Sequence, residues 1–141
     1  MLINHLKYKN VKIENAQTVY DILVDLRKEL HEFELDKEYF YLIALSRSNK
    51  IRFIDLVSIG SATGTIVEPR EVFRLAILKG VSGGLIMCHN HPSGNLEPSS
   101  EDKNITKRIK EAGNIIRIRL LDHIIFSDKE GFFSFANEGL L

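Results

Sequence analysis

Cysteine is nearly absent from this sequence. The single Cys88 excludes an intrachain disulfide framework and suits a reducing compartment. An excess of charge is missing too: Lys plus Arg and Asp plus Glu each number 19, so no global field draws the chain to nucleic acid or anionic lipid. The opening residues, MLINHLKYKNVKIENAQ, lack the apolar run of a secretory leader, and no stretch approaches transmembrane length. A soluble, cytoplasmic protein without a membrane partner is the expectation. No internal repeat, low-complexity tract or linker divides the chain. With 44% hydrophobic and 27% charged residues, 141 residues fit one domain over 1–141 that buries its core without staples.

Patterning gives the elements. In NAQTVYDILVDLRKELHEF, Val19, Ile22, Leu23, Leu26 and Leu30 recur at helical spacing behind Asn15, a suitable N-cap. EYFYLIALSRSNKIRFIDLVSIG holds two β-rich runs around the polar SRSNK and reads as a hairpin. SATGT reads as a loop, and EPREVFRLAILKG as a short helix with Gly80 as its stop. GLIMCH is a buried strand candidate. A helix is expected from about Ser100 to Ala112, stopped by Gly113, followed by a strand in IIRIRLLDHIIFS, a turn at DKEG and the run FFSFA. Helices and strands alternate, which predicts an α/β fold with a sheet flanked by helices.

The chemistry concentrates in MCHNHPSGNLEPSSED, which holds two of only five histidines. Side chains two apart on a strand share a face, so His89 and His91, at the end of GLIMC, can project together from the sheet edge. Pro92 and Gly94 turn the chain, and Pro98–Ser99 leads into a helix whose first turn contains Asp102. Two imidazoles and a carboxylate make a three-ligand set suited to zinc, with a fourth position left for water. Alternation sends Cys88 the other way. The same letters have a plainer use: Ser99-x-x-Asp102 is also a capping box. Local pattern alone leaves metal site and capped helix both open.

Other readings fail on their own terms. The contiguous His-Asn-His does not match HNH nucleases, which spread those residues over a hairpin and a helix. A zinc deaminase needs a glutamate beside its first ligand and a Pro-Cys-x-x-Cys segment, both absent. GSATGT lacks the following Lys-Ser/Thr of a phosphate loop.

The run His89-x-His91, seven residues, then Ser99-x-x-Asp102 resembles the JAMM motif of JAB1/MPN metalloproteases. HNHPSGNLEPSSED with AG and LLDHIIF, together with EPREVFRLAI and EYFYLIAL, is similar to the bacterial RadC family, named as DNA-repair proteins. The likeness runs from about Glu38 to the C-terminus and, more weakly, back through the first helix. It implies a cytidine-deaminase-like α/β fold with a mixed sheet between helices. Residues 36–141 would form the metal-site core and residues 1–35 a helical lead-in. It further implies a zinc-dependent hydrolase acting on peptide or isopeptide bonds of a peptide or protein substrate.

Carried over position by position, the family pattern places Zn2+ ligands at His89, His91 and Asp102. Ser99 matches the motif serine that supports the oxyanion and bound water. Glu38, opening the strand EYFYLIAL, stands where the motif keeps its general base, with Glu34 and Glu32 as nearby alternatives. His123 either orients a ligand or fills a buried polar spot, the latter being the expectation. His5 and His31 have no evident partners, and Cys88 reads as a core residue. Lys103, Lys107, Arg108 and Lys110 read as a solvated helix face. Two departures stand out: the helix-hairpin-helix region of longer RadC relatives is not expected here, and ALSRSNK lacks an acid that relatives often carry. The alternative function is a DNA-repair or mobile-element accessory protein with a structural or vestigial metal site. Oligomeric state is not legible.

Overall fold

The computed structural model describes residues 1–3, 5–60 and 67–141, the side chain of His5 excepted. Residues 61–65, SATGT, which carry the loop and phosphate-loop readings, and the ring of His5 therefore lie outside what is described. The first elements are a single turn of helix α1 (His5–Tyr8), helix α2 (Ala16–Arg27) and a short α3 (Glu32–Leu35). The hairpin β1 (Glu38–Leu45) and β2 (Ile51–Gly60) follows, then helix α4 (Pro69–Leu78) and strand β3 (Gly84–Asn90). Helix α5 (Ser100–Ile116) and strands β4 (Leu120–Ser127) and β5 (Gly131–Ser134) complete the order.

The five strands form one sheet in the order β2-β1-β3-β4-β5. Only β3 and β4 run parallel, joined through α5, so the sheet is mixed and the α/β expectation holds. Alternation along the central strands sorts residues to two cores. Tyr41 and Ile43 of β1, Ile86 and Cys88 of β3, and Phe126 of β4 pack with Val19 and Leu23 of α2. Phe40 and Leu42 of β1 and Leu85 and Met87 of β3 meet Val72 and Phe73 of α4 and Ile109 of α5. Helices thus cover both faces, and β3, buried along its whole length, is the middle strand.

Three sequence expectations need correction. The apolar spacing from Val19 to Leu30 predicts one continuous helix, but α2 ends at Arg27 and Leu30 sits in the turn beyond, still packed on the α2-side core. Apolar spacing alone cannot separate a helical turn from a loop that returns its side chain to the same face. Gly113 is not a stop: α5 runs through it to Ile116 and closes on Arg117, whose left-handed backbone (φ 59°) donates its N–H to the Gly113 carbonyl. Glycine is required there for space, because a Cβ would lie 2.4 Å from the carbonyl oxygen of Ile118 as the chain folds back. In consequence Ile115 and Ile116 belong to the helix, and β4 starts only at Leu120. Gly80, by contrast, ends α4 as its position predicts, with φ at +59°.

Candidate metal centre

The site forms at the C-terminal end of β3, where the chain leaves the sheet for α5. His89 is the penultimate residue of β3, 1% exposed, and its ring stacks on Phe40 of the neighbouring strand with centroids 5.7 Å apart. His91 lies one residue beyond β3, held against β4 by donation of its N–H to the Phe126 carbonyl at 2.9 Å. The following turn, closed by Gly94 N–H to the His91 carbonyl, brings the Asn95 carbonyl 2.6 Å from His91 Nδ1. A carbonyl only accepts, so Nδ1 carries the proton, and in the neutral ring His91 Nε2 presents a lone pair.

Both imidazoles point the same way, as alternation predicts. Their Nε2 atoms are 3.0 Å apart, and the Asp102 carboxylate lies 3.1 Å from His89 Nε2 and 3.3 Å from His91 Nε2. The carboxylate meets them through different oxygens, Oδ1 toward His89 and Oδ2 toward His91, and with one ligand atom from each residue the three lie within 4.8 Å of one another, a donor set that can hold a metal ion. Among the described residues, His89, His91 and Asp102 are the group of His, Cys, Asp or Glu that can hold a metal ion.

Asp102 is also a helix cap. Ser99 Oγ accepts from Asp102 N–H at 3.1 Å, and Asp102 Oδ2 accepts from Ser99 N–H at 2.8 Å. The capping box and the ligand cluster are one arrangement: the cap fixes the rotamer that aims the carboxylate at the histidines. Burial raises the Asp102 pKa, but without an ion, hydrogen bonds from His89 and His91 protonated on Nε2 outweigh it and hold the carboxylate far below its usual range. Burial likewise pulls the His91 pKa down, and Asp102 and the Asn95 carbonyl reverse this to a net rise.

Of the three acids considered as base, Glu38 alone lines the cleft with His89 and Asp102, a cavity of about 230 Å³ that also takes in Phe40. The antiparallel register that sets Phe40 opposite His89 brings the start of β1 to the end of the sheet where His91 lies. Glu34 is occupied elsewhere, accepting from Tyr39 Oη at 2.6 Å and from Lys37 Nζ at 3.2 Å. Its partner Tyr39 packs in the α2-side core, on the opposite face of the sheet. Glu32 is exposed at the start of α3. The Ser99 hydroxyl, exposed at the head of α5, accepts one backbone bond and keeps its own proton to donate.

Sequence reasoning passed over two residues that build this site. Asn90, the middle letter of His-Asn-His, points to the opposite face and is 1% exposed. Its Oδ1 accepts from Tyr39 N–H at 2.7 Å and its Nδ2 donates to the Lys37 carbonyl at 2.9 Å, clamping the backbone on both sides of Glu38. Thr106, one turn beyond Asp102 in α5, touches His123, and His123 in turn touches His89. His123 is therefore not a mere filler of a polar spot, as the sequence suggested. It sits directly behind a cluster residue, and burial drives its pKa well below the ordinary value. The remaining candidates stay outside. Cys88 faces the α2 side, its thiol pKa pushed up by burial, and His31 stacks on Phe33 at the start of α3. Lys103 and Lys107 are exposed on α5, while Arg108 reaches Glu68 at 3.6 Å across the cleft.

A mixed sheet between helices, with His-x-His at a strand end and an aspartate in the next helical turn, defines a JAB-type domain. A family model described as "RadC-like JAB domain" matches residues 13–140, and the chain belongs to that family. Curated relatives carry the name UPF0758 protein. One from Flavobacterium johnsoniae is 47% identical over 107 residues, covering 76% of this chain and 46% of its own. One from Listeria welshimeri is 49% identical over 106 residues, covering 74% and 46%. One from Pelodictyon phaeoclathratiforme is 39% identical over 139 residues, covering 99% and 60%. The chain thus spans about half the length of the curated relatives it matches.

Proposed function

We propose that this protein is a zinc-dependent hydrolase of peptide or isopeptide bonds. The observation that carries the reading is the convergence of the His89 and His91 Nε2 atoms, 3.0 Å apart, with the two Asp102 carboxylate oxygens, one 3.1 Å from His89 and the other 3.3 Å from His91, beside a cleft that also contains Glu38. His89, His91 and Asp102 would hold the ion, three protein ligands being the pattern of catalytic rather than structural zinc. Zinc held there supplies Lewis acidity, polarising a carbonyl and bringing the pKa of a water toward neutrality. Glu38 would take the proton from the attacking water as it adds to the carbonyl carbon, and return it to the amine as the C–N bond breaks. Ser99 donates a hydrogen bond from its hydroxyl to the developing oxyanion. The products are a carboxylate and a free amine, so the substrate is a peptide or protein bearing an amide or isopeptide bond.

Residues 1–141 act as one unit in this reading, in a cytoplasmic setting that a lone buried thiol suits. None of the described helices is long and apolar enough to cross a membrane. The test is metal analysis of freshly purified protein, followed by a screen of peptide-linked and ubiquitin-like amides with and without chelator. About one zinc per chain and chelator-sensitive cleavage are expected. Zinc-free protein, or stoichiometric zinc without turnover across a broad screen, overturns the hydrolase. Salt-dependent DNA binding in the latter case would point to an accessory role in DNA repair.

A further inference from the structure

Behind the three cluster residues lies a closed line of polar contacts. Thr106 Oγ1 donates to the Asp102 backbone carbonyl at 2.6 Å, the residue one helical turn back. The same oxygen lies 2.6 Å from His123 Nδ1, and His123 Nε2 lies 2.8 Å from His89 Nδ1. Thr106 is 3% exposed and His123 0%. His123 is clamped between rings, stacked on Phe135 at 4.8 Å and tilted against Phe40 at 5.9 Å, so it cannot turn away.

Counting hydrogens fixes the direction. A hydroxyl has one proton, and Thr106 gives it to the Asp102 carbonyl, so toward His123 its oxygen can only accept. His123 Nδ1 must then carry a proton. A neutral imidazole has only one, so His123 Nε2 is an acceptor and His89 Nδ1 is the donor facing it. That leaves His89 Nε2 as the lone pair aimed at the cluster. His91 reaches the same state through a backbone carbonyl; His89 reaches it through two side chains.

We propose that His123 and Thr106 are positioning residues that fix the tautomer and ring plane of His89 by a hydrogen-bond relay anchored on the Asp102 backbone. Both ends of the relay are cluster residues: it starts at the carbonyl of Asp102 and ends at the ring of His89, whose Nε2 is 3.1 Å from the Asp102 carboxylate. Strand β3, strand β4 and helix α5 are thereby locked in the one docking that assembles the site. Such outer partners of ligating histidines tune metal affinity as well as orientation. The inference rests on the zinc reading for its consequence, while the relay itself exists without a metal.

The test pairs Thr106→Val, which keeps the buried volume and removes the hydroxyl, with Thr106→Ser, which restores it. Long-range 1H–15N correlation spectra of the metal-free full chain, recorded above the histidine titration range, report which nitrogen of His123 holds the proton. Wild type and Thr106→Ser should show Nδ1–H and a bare Nε2; Thr106→Val should shift His123 toward the other tautomer. Zinc competition titrations should give a Kd weakened roughly ten- to a hundred-fold in the Val variant and recovered in the Ser variant. A His123 protonated at Nε2 in wild type, or a folded Val variant with wild-type zinc affinity, overturns the relay. A wild type that shows the Nδ1–H tautomer but takes up no zinc overturns the zinc reading and leaves the relay standing.

Discussion

Ser99 and Asp102 each satisfy the other's backbone N–H, at 3.1 and 2.8 Å, and the same Asp102 carboxylate closes on two histidines. Cap and ligand are therefore separable only by mutation. Ser99→Ala should cost about 1 kcal/mol in chemical denaturation, the ordinary loss of a helix cap, and leave zinc content unchanged. Asp102→Ala should lose a similar amount of stability and the metal as well. A Ser99→Ala protein stripped of zinc, or an Asp102→Ala protein with full zinc, would contradict this division.

Gly113 makes a steric prediction. A Cβ there meets the Ile118 carbonyl at 2.4 Å and the Phe73 ring at 3.2 Å, and the nearer obstacle is backbone that cannot swing aside. Gly113→Ala should destabilise by about 2 kcal/mol, as overpacking does, despite alanine's better helix propensity. A stabilised Gly113→Ala protein in a thermal melt would show that the close return of the chain is wrong.

Much of this site is legible from one strand's alternation. His89 and His91 on one face, Cys88 on the other and Asp102 at the head of the next helix follow from period two, a turn and a cap signal. The relay is not legible, because His89 and His123 are 34 residues apart and meet only through the parallel pairing of β3 with β4. Local periodicity carries no information about that register. Gly113 misleads for a related reason: a glycine required by a tertiary approach looks the same in sequence as one required by a left-handed helix end. Asn90 hid in plain view as the even-numbered residue between two odd-numbered histidines. A polar residue predicted to point into the opposite core was the signal that it clamps something.

Asn90 itself is testable. Asn90→Ala leaves the Tyr39 N–H and the Lys37 carbonyl without their buried partner, which should cost about 1–3 kcal/mol. Because the amide faces away from the cluster, zinc affinity should stay near wild type, whereas turnover should fall as Glu38 loses its fixed backbone. Parallel loss of zinc and turnover would mean that Asn90 holds the histidines rather than the base.

One pH effect lies far from the site. Asp25 accepts from Lys7 Nζ at 2.7 Å and from Tyr8 Oη at 2.6 Å, which lowers its pKa to about 2. A carboxylate whose pKa is lower folded than unfolded contributes stability above its unfolded value and loses it as pH falls through the folded one. The stability gap between wild type and Asp25→Asn should therefore be present above about pH 4 and close as pH approaches 2. The group is partly exposed, so added salt should shrink the gap. Melts across this range check it; a gap that widens toward low pH would reverse the sign.

The role of Glu38 carries the largest expected effect. It lines the cleft with His89 and Asp102 yet is not one of the cluster's donors, so its removal separates chemistry from metal binding. Glu38→Gln keeps the side chain's size and hydrogen-bonding reach but cannot accept a proton from water. Zinc content and melting temperature should match wild type, while kcat should fall on the order of a hundred- to ten-thousand-fold. Glu34→Gln serves as the control, since that carboxylate is spent on Tyr39 and Lys37 on the opposite side of the sheet. It should leave kcat unchanged. Hydrolysis at the wild-type rate by zinc-loaded Glu38→Gln protein would remove this residue from the mechanism.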